Sequence, residues 1–332
     1  MPNQQSDEAH YIKQMQQMLQ EKMKKTYPSG QTKRDAHPKH LALLKASFVI
    51  ADQIPDKLRV GILREQKTYP AWVRISNSSG QIQSDTKKDF RGIAIKLYDV
   101  EGEKYIDDEH HTQDFVLLSH PTMPLGTVKL FHDAVYYTTK WSPFLFLAKM
   151  LLTGHARKLK ELKKGKKNHT SPLDIRYWST TPYQFGTDHV VKYAIVPTST
   201  YTSKLPHPLT DRYLTDNIAK HLSEHEATFD FMIQLQKDPI QMPIEDASVK
   251  WDEKDSPFIK VATLIIPKQS FQTEKRNQLA ESFSFSPGHC LKEHQPLGGI
   301  NRARVEIYQS LAHFRHQRDH RALTEPHDLE SE

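Results

Sequence analysis

The stretch Lys88-Asp89-Phe90-Arg91-Gly92-Ile93-Ala94-Ile95-Lys96-Leu97-Tyr98 decides how the chain is to be read. From Gly92 onward the side chains alternate. Ile93, Ile95 and Leu97 share one face, while Ala94, Lys96 and Tyr98 share the other, a period of two that predicts a strand. Turn clusters flank it, Asn77-Ser-Ser-Gly80 before and Val100-Glu-Gly-Glu103 after. Ala71-Trp-Val-Arg-Ile-Ser76 alternates upstream, and Ala46-Ser-Phe-Val-Ile50 is a short apolar run. Downstream, Asp114–Leu118, Val190–Val196, Phe229–Gln236 and Ile259–Ile266 carry the same signal.

Between and around these strands the period changes. Residues 9–26, 128–137, 144–162 and 214–222 have helical spacing, the third opening near Ser142-Pro143. Strands in adjacent hairpin-like pairs, with helices gathered at the middle and ends, predict an α+β fold built on an antiparallel barrel. The expected organisation is a helical arm over 1–33, a barrel domain over 34–320 and a flexible tail over 321–332.

At 332 residues, 37% hydrophobic and 26% charged, the chain has enough apolar material for a large core. Its lone cysteine, Cys290, rules out an internal disulfide and fits a reducing compartment such as the cytoplasm. The start has no basic segment followed by an apolar one, so no secretory signal is expected. No apolar run is long enough to span a bilayer. The net charge of +6 is concentrated between Lys158 and Lys167. No nucleic-acid recognition module accompanies that basic run.

Several places could carry chemistry. Arg304 and Tyr308 lie four residues apart, on one face of a predicted helix that continues to Arg318. A phenol binds ferric iron as phenolate, and a fixed guanidinium beside the oxygen favours that anion; the spacing is also that of an ordinary surface pair. His37, in Arg34-Asp-Ala-His37, is a loop histidine of the kind that shuttles protons or merely faces solvent. Arg74 sits within an apolar strand and needs an anionic partner, either an internal carboxylate or that of a ligand. In Asp107-Asp-Glu-His-His-Thr-Gln-Asp114, adjacent histidines of an extended segment point to opposite faces, so a shared metal ion is not expected there. Residues 141–167 join an apolar run to the lysines. They read first as a core-packed helix with a solvated end. The same composition also suits peripheral contact with an anionic membrane.

Taken in order, these stretches resemble the catalase superfamily, especially its short members that keep only the barrel core. The resemblance runs from about Arg34 to about Arg318. Arg34-x-x-His37 is similar to the family's Arg-x-x-His, and Val73-Arg-Ile-Ser76 to its Val-Arg-Phe-Ser. Residues 88–98 are similar to Arg-Asp-Pro-Arg-Gly-Phe-Ala-Val-Lys-Phe-Tyr, the most specific stretch. Phe231-Met-Ile-Gln234, Val249-Lys-Trp251, Phe283-Ser-Phe-Ser-Pro287 and Arg304-x-x-x-Tyr308 follow in the family's order.

The resemblance implies a catalase-like eight-stranded antiparallel barrel with haem b buried beside it. It implies His37 as distal acid–base residue, Tyr308 as iron ligand, Arg304 as the charge that neutralises the phenolate, and Arg34 and Arg74 as propionate partners. The family's distal Asn, in Asn-Thr-Pro, falls at Ser119-His-Pro121, where a hydroxyl replaces the amide. The implied activity is a haem-dependent peroxidase or weak catalase acting on hydrogen peroxide or on organic or lipid hydroperoxides. The alternatives are an isomerase or dehydrase of lipid hydroperoxides, and a catalase-fold binding module that has lost haem. The short arm is compatible with a homodimer or a monomer.

Overall fold

The structure of the protein, a computed structural model, describes residues 2–320 and Leu329. The tail predicted for 321–332 thus lies outside the described residues, Leu329 excepted.

Nine strands form one antiparallel sheet: β1 (His40–Ile50), β2 (Thr68–Asn77), β3 (Arg91–Leu97), β4 (Gln113–Leu118), β5 (Tyr177–Trp178), β6 (Tyr183–Phe185), β7 (His189–Pro197), β8 (Ala227–Leu235) and β9 (Ile259–Ile266). Their spatial order is β5-β4-β3-β2-β1-β9-β8-β7-β6, and β5 also pairs with β7. That last pairing, Tyr177 with Ile195 and Trp178 with Ala194, closes eight of the strands into a barrel and leaves β6 as an appendix on β7. Closure removes the free edges that an open sheet would present.

The barrel is filled by the apolar faces predicted from alternation. Phe115 lies with its ring 4.7 Å from Phe231 and 5.1 Å from Tyr193, and Phe48 stands edge-on to Phe231 at 4.9 Å. Offset and edge-on contacts of this kind suit the ring quadrupoles. β1 begins at His40, six residues before the predicted start, because Leu41-Ala-Leu-Leu44 is buried throughout and shows no alternation.

Helices gather in two places. α1 (Pro2–Thr26), α2 (Val128–Lys140) and α7 (Gly299–Arg318) pack together through Ile12, Met15, Leu19, Val135, Ala303 and Ile307. The predicted arm is therefore one third of a helical layer. Asp319 ties its end down, accepting hydrogen bonds from Thr32 N at 2.9 Å and Thr32 Oγ1 at 2.6 Å. α5 (Tyr213–Glu224) covers one part of the barrel and α6 (Glu274–Ser282) another.

The single helix predicted for 144–162 is two: α3 (Pro143–Leu152) and α4 (Ala156–Gly165). Ser142 caps α3 by accepting from Phe144 N at 3.1 Å, with Pro143 in the first turn where its missing N–H costs nothing. Gly154, at φ +77°, ends it. Nor is α3 core-packed as the first reading expected. Only Phe146 and Met150 are buried, and most of its apolar side chains face outward. No helix among the described residues is long and apolar enough to cross a membrane.

Candidate active site

A cavity of about 230 Å³ lies between the barrel and the helical layer. Its barrel wall comes from Arg74 and Ser76 on β2, Gly92–Ala94 on β3 and Val116–Leu118 on β4; its helical wall includes Phe131 of α2 and Ile300, Ala303, Arg304, Ile307, Tyr308 and Arg315 of α7. Arg34 and His37 line it from the segment that leads into β1.

His37 is held at three points. Its backbone is left-handed, φ 58°, a conformation that a non-glycine residue adopts only when its surroundings require it. Its carbonyl accepts from Arg74 Nη2 at 2.9 Å, and its Nδ1 lies 2.9 Å from Ser76 Oγ. The ring rests on Gly92: a Cβ there would sit 2.5 Å from His37 Cε1, so only glycine leaves room. Burial, and then the charge of Arg74, lower the imidazole pKa to about 4, which keeps it neutral at pH 7.

Three guanidiniums converge on the same cavity. Arg74 and Arg315 are buried, and Arg34 is half-buried. Arg34 and Arg315 both donate to the Phe283 carbonyl, and Arg315 also to that of Glu281. Glu281 pairs with Arg34 at 3.6 Å, with Lys33 at 3.3 Å and with His40 at 3.3 Å. Although burial opposes its charge, these partners hold its carboxyl well below the usual range. Arg74 has no such partner. Its buried Nε makes no hydrogen bond, and among the described residues no carboxylate lies within ion-pair distance. Burial, and then the charge of Arg34, press its guanidinium toward the neutral form. The buried guanidinium of Arg74 thus has no carboxylate of its own among the described residues, and a buried charge calls for a counter-charge.

On the helical wall the Arg304 guanidinium carbon stands 5.5 Å from the centre of the Tyr308 ring. Arg304 Nη1 also donates to Asn301 Oδ1 at 3.2 Å and Thr181 Oγ1 at 3.3 Å. Burial opposes its charge, but the oxygens of Tyr308 and Tyr183 outweigh that and raise its pKa.

Haem b is a flat apolar ring with two carboxylates, and the residues present fit it. Ile93, Val116, Phe131, Phe285, Ile300 and Ile307 supply apolar walls; Arg34, Arg74 and Arg315 supply the cations; Tyr308 supplies a phenol beside a fixed guanidinium. Arg315 was not singled out from the sequence. Its signal was helical phase, since Arg304, Tyr308 and Arg315 stand at i, i+4 and i+11 on one face of α7.

Ser119, the position that the resemblance matches to the distal Asn, lies just past the end of β4. Among the described residues it does not line the cavity, whose wall on β4 ends at Leu118. Its N–H donates to Arg91 O at 2.8 Å and its Oγ accepts from Arg91 N at 2.8 Å. Its hydroxyl oxygen thus extends the β3–β4 ladder as an acceptor. No Asn or Gln lines the cavity among the described residues.

The acid–histidine run contributes elsewhere. His110 and His111 are exposed, while Glu109 and Asp114 turn inward to His289. Lys96 Nζ lies 2.7 Å from both Glu109 oxygens and 3.1 Å from Asp114 Oδ1. Burial and Lys96 work against a charge on His289, but hydrogen bonds to Asp108 and Asp114 outweigh them and raise its pKa to about 10. Two cations thus already hold the carboxylates, and the cluster is a closed ion network at the foot of β3 and β4.

No family model matches the sequence, and neither does any curated protein. Solved structures do match. A fungal catalase superposes with a TM-score of 0.68 at 16% identity, over 85% of this chain and 59% of its own. A bacterial catalase gives 0.64 at 16%, over 85% and 57%, and catalase A from Saccharomyces cerevisiae gives 0.68 at 15%, over 85% and 61%. The chain thus spans less than two thirds of the length of these catalases. The closed eight-stranded antiparallel barrel, with its helices packed over a cavity on one side, is the catalase fold.

Proposed function

We propose that the chain is a haem-dependent oxidoreductase of the peroxidase or weak-catalase kind, acting on hydrogen peroxide or on organic and lipid hydroperoxides. The observation that carries this reading is one cavity lined by a neutral His37, three cationic arginines and the Arg304–Tyr308 pair. Bound haem would supply an iron able to give up the electrons that cleave the peroxide O–O bond. Tyr308 would be its protein ligand, with Arg304 favouring the phenolate, and Arg34, Arg74 and Arg315 would hold the propionates.

His37 would take the proton from the near oxygen of a hydroperoxide and return it to the departing oxygen, so that water or an alcohol leaves. A pKa of about 4 suits the first half of that exchange, since the ring is free to accept a proton at any pH above about 5. Ser76, 2.9 Å from Nδ1, fixes the orientation of the ring. Among the described residues no side-chain amide lines the cavity, so the arrangement of donors differs from a distal histidine–amide pair. The apolar walls favour a hydroperoxide with a hydrocarbon body, and the same observation supports rearrangement of lipid hydroperoxides as the second reading.

Haem reconstitution tests the proposal. The loaded chain should show a Soret band that Tyr308→Phe abolishes or shifts, and should turn over a fatty-acid hydroperoxide faster than hydrogen peroxide. Consumption of a reducing co-substrate separates a peroxidase from an isomerase. A chain that takes up no haem sinks both readings and leaves the binding module.

A further inference from the structure

Outside the cavity, exposed apolar side chains concentrate at α3, next to the basic α4, among the described residues. Phe144 is 72% exposed, Leu152 88%, Leu151 54% and Trp141 65%. Leu145 and Leu147 are also exposed. At about 100° per residue, Phe144, Leu145, Leu147, Leu151 and Leu152 fall within an arc of roughly 160°, with Phe146 and Met150 opposite. The helix is thus anchored by two buried side chains and presents five large apolar ones. Its capped start and its glycine stop give it the form of a finished element, and soluble surfaces rarely leave such a stripe uncovered.

Charge identifies what covers it. Residues 156–167 hold seven basic side chains, Arg157, Lys158, Lys160, Lys163, Lys164, Lys166 and Lys167, and one acidic one, Glu161. That net of +6 equals the net charge of the entire chain, so the remaining residues are neutral in sum. Arg157, Lys160, Lys163, Lys164, Lys166 and Lys167 are exposed. The helices that carry the apolar arc and the basic row are joined by Thr153-Gly154-His155 and touch each other.

We infer that α3 and α4 form a docking surface for an anionic lipid bilayer. α3 lies in the interface with its apolar arc among the acyl chains, Trp141 sits at headgroup level, and the lysines of α4 meet anionic headgroups. A second copy of the chain is the poorer occupant. A two-fold contact centred on α3 would bring two segments of +6 together, where the repulsion opposes association. The docking surface also connects to the cavity through α2. Phe131 lines the cavity and Trp141 follows the end of the same helix ten residues on, about 15 Å along its axis. The inference concerns binding alone and stands whether or not the chain carries haem.

Co-sedimentation of the full chain with vesicles tests it. Phosphatidylcholine vesicles containing about 30% phosphatidylglycerol should bind at least roughly tenfold more tightly than phosphatidylcholine alone, and raising salt from about 0.1 M to about 0.5 M should release the chain. The pair Phe144→Glu with Leu152→Glu should lower that binding by a similar factor, as should the triple variant Lys160→Glu, Lys163→Glu, Lys164→Glu. All these positions are exposed, so circular dichroism melting should show both variants folded. Absence of vesicle binding, or equal binding to neutral and anionic vesicles, overturns the inference. So does a doubled mass in light scattering that the Phe144/Leu152 variant returns to one chain, with no sedimentation, which would assign the face to a second copy.

Discussion

His37 Nδ1 and Ser76 Oγ stand 2.9 Å apart, across the junction between the segment before β1 and the strand β2. A left-handed loop residue is thereby locked to the rigid barrel wall, which is how a mobile ring becomes a positioned one. Ser76→Ala should leave haem uptake unchanged and lower hydroperoxide turnover roughly tenfold or more, with Ser76→Thr restoring most of it. Gly92→Ala should do the same through a different route, by pushing the ring off its seat. Soret titration and steady-state rates measured together check both variants, and a loss of haem affinity in either would assign it a structural role.

Arg74 is buried beside two other guanidiniums with its Nε unpartnered. Arg74→Met should therefore leave the haem-free chain as stable as before or more so, because exchanging an uncompensated buried charge for an apolar side chain of similar length is neutral or favourable. The same change should weaken haem affinity at least tenfold, about 1.4 kcal/mol. Melting of the haem-free chain and hemin titration give the two signs.

Lys96 answers the opposite test. It is the cation between Glu109 and Asp114, and all three side chains are buried. Lys96→Met leaves two carboxylates facing each other with His289 as their cation, so it should destabilise the chain by about 3–5 kcal/mol. Urea unfolding measures it, and the double variant Lys96→Met with Glu109→Gln should recover part of the loss.

Buried histidines set the acid limit of stability. His37, His169 and His294 all have pKa values lowered to about 4, each chiefly by burial. In the unfolded chain they titrate near 6.5, so between pH 6.5 and 4 the unfolded state binds protons that the folded state refuses. Stability should fall through that window and level off below it, by at most on the order of 3 kcal/mol per histidine. His289 has the reverse sign. Its pKa, raised to about 10, gives stability that is full below pH 6.5 and lost as pH rises through 10. Unfolding midpoints across pH, with His294→Gln as the least functional of the acid-side changes, check the signs.

Much of the barrel was legible because apolar side chains recur at every second position of its long strands, and on β8 burial alternates with them. Alternation marks Phe229, Phe231 and Ile233 as inward, and they are. β5 and β6, two and three residues long, escape such a reading because no period can show in so few positions. They matter out of proportion, since β5 closes the barrel. The break between α3 and α4 was written in Gly154, inside a run whose apolar and basic halves both have helical spacing. At the site, Arg34, His37, Arg74, Arg304 and Tyr308 meet at one cavity although they come from widely separated stretches. Order along the chain carried that information. The surroundings of Ser119 were not legible in the same way: its hydroxyl oxygen accepts from the Arg91 backbone amide next to the strand end, a local bond that spacing alone does not show.

The helical layer has a consequence for how the molecule comes into being. α1 and α7 together form the cover of the cavity, and the bonds from Thr32 to Asp319 join positions 287 residues apart. A nascent chain that has left the ribosome as far as β9 can assemble the strands, yet it has no roof over Arg74 and no Tyr308. Any small molecule destined for that space must therefore arrive after translation has passed α7. Until α7 is made, the barrel side of that space, with His37 and Arg74 in its wall, has no partner to complete it.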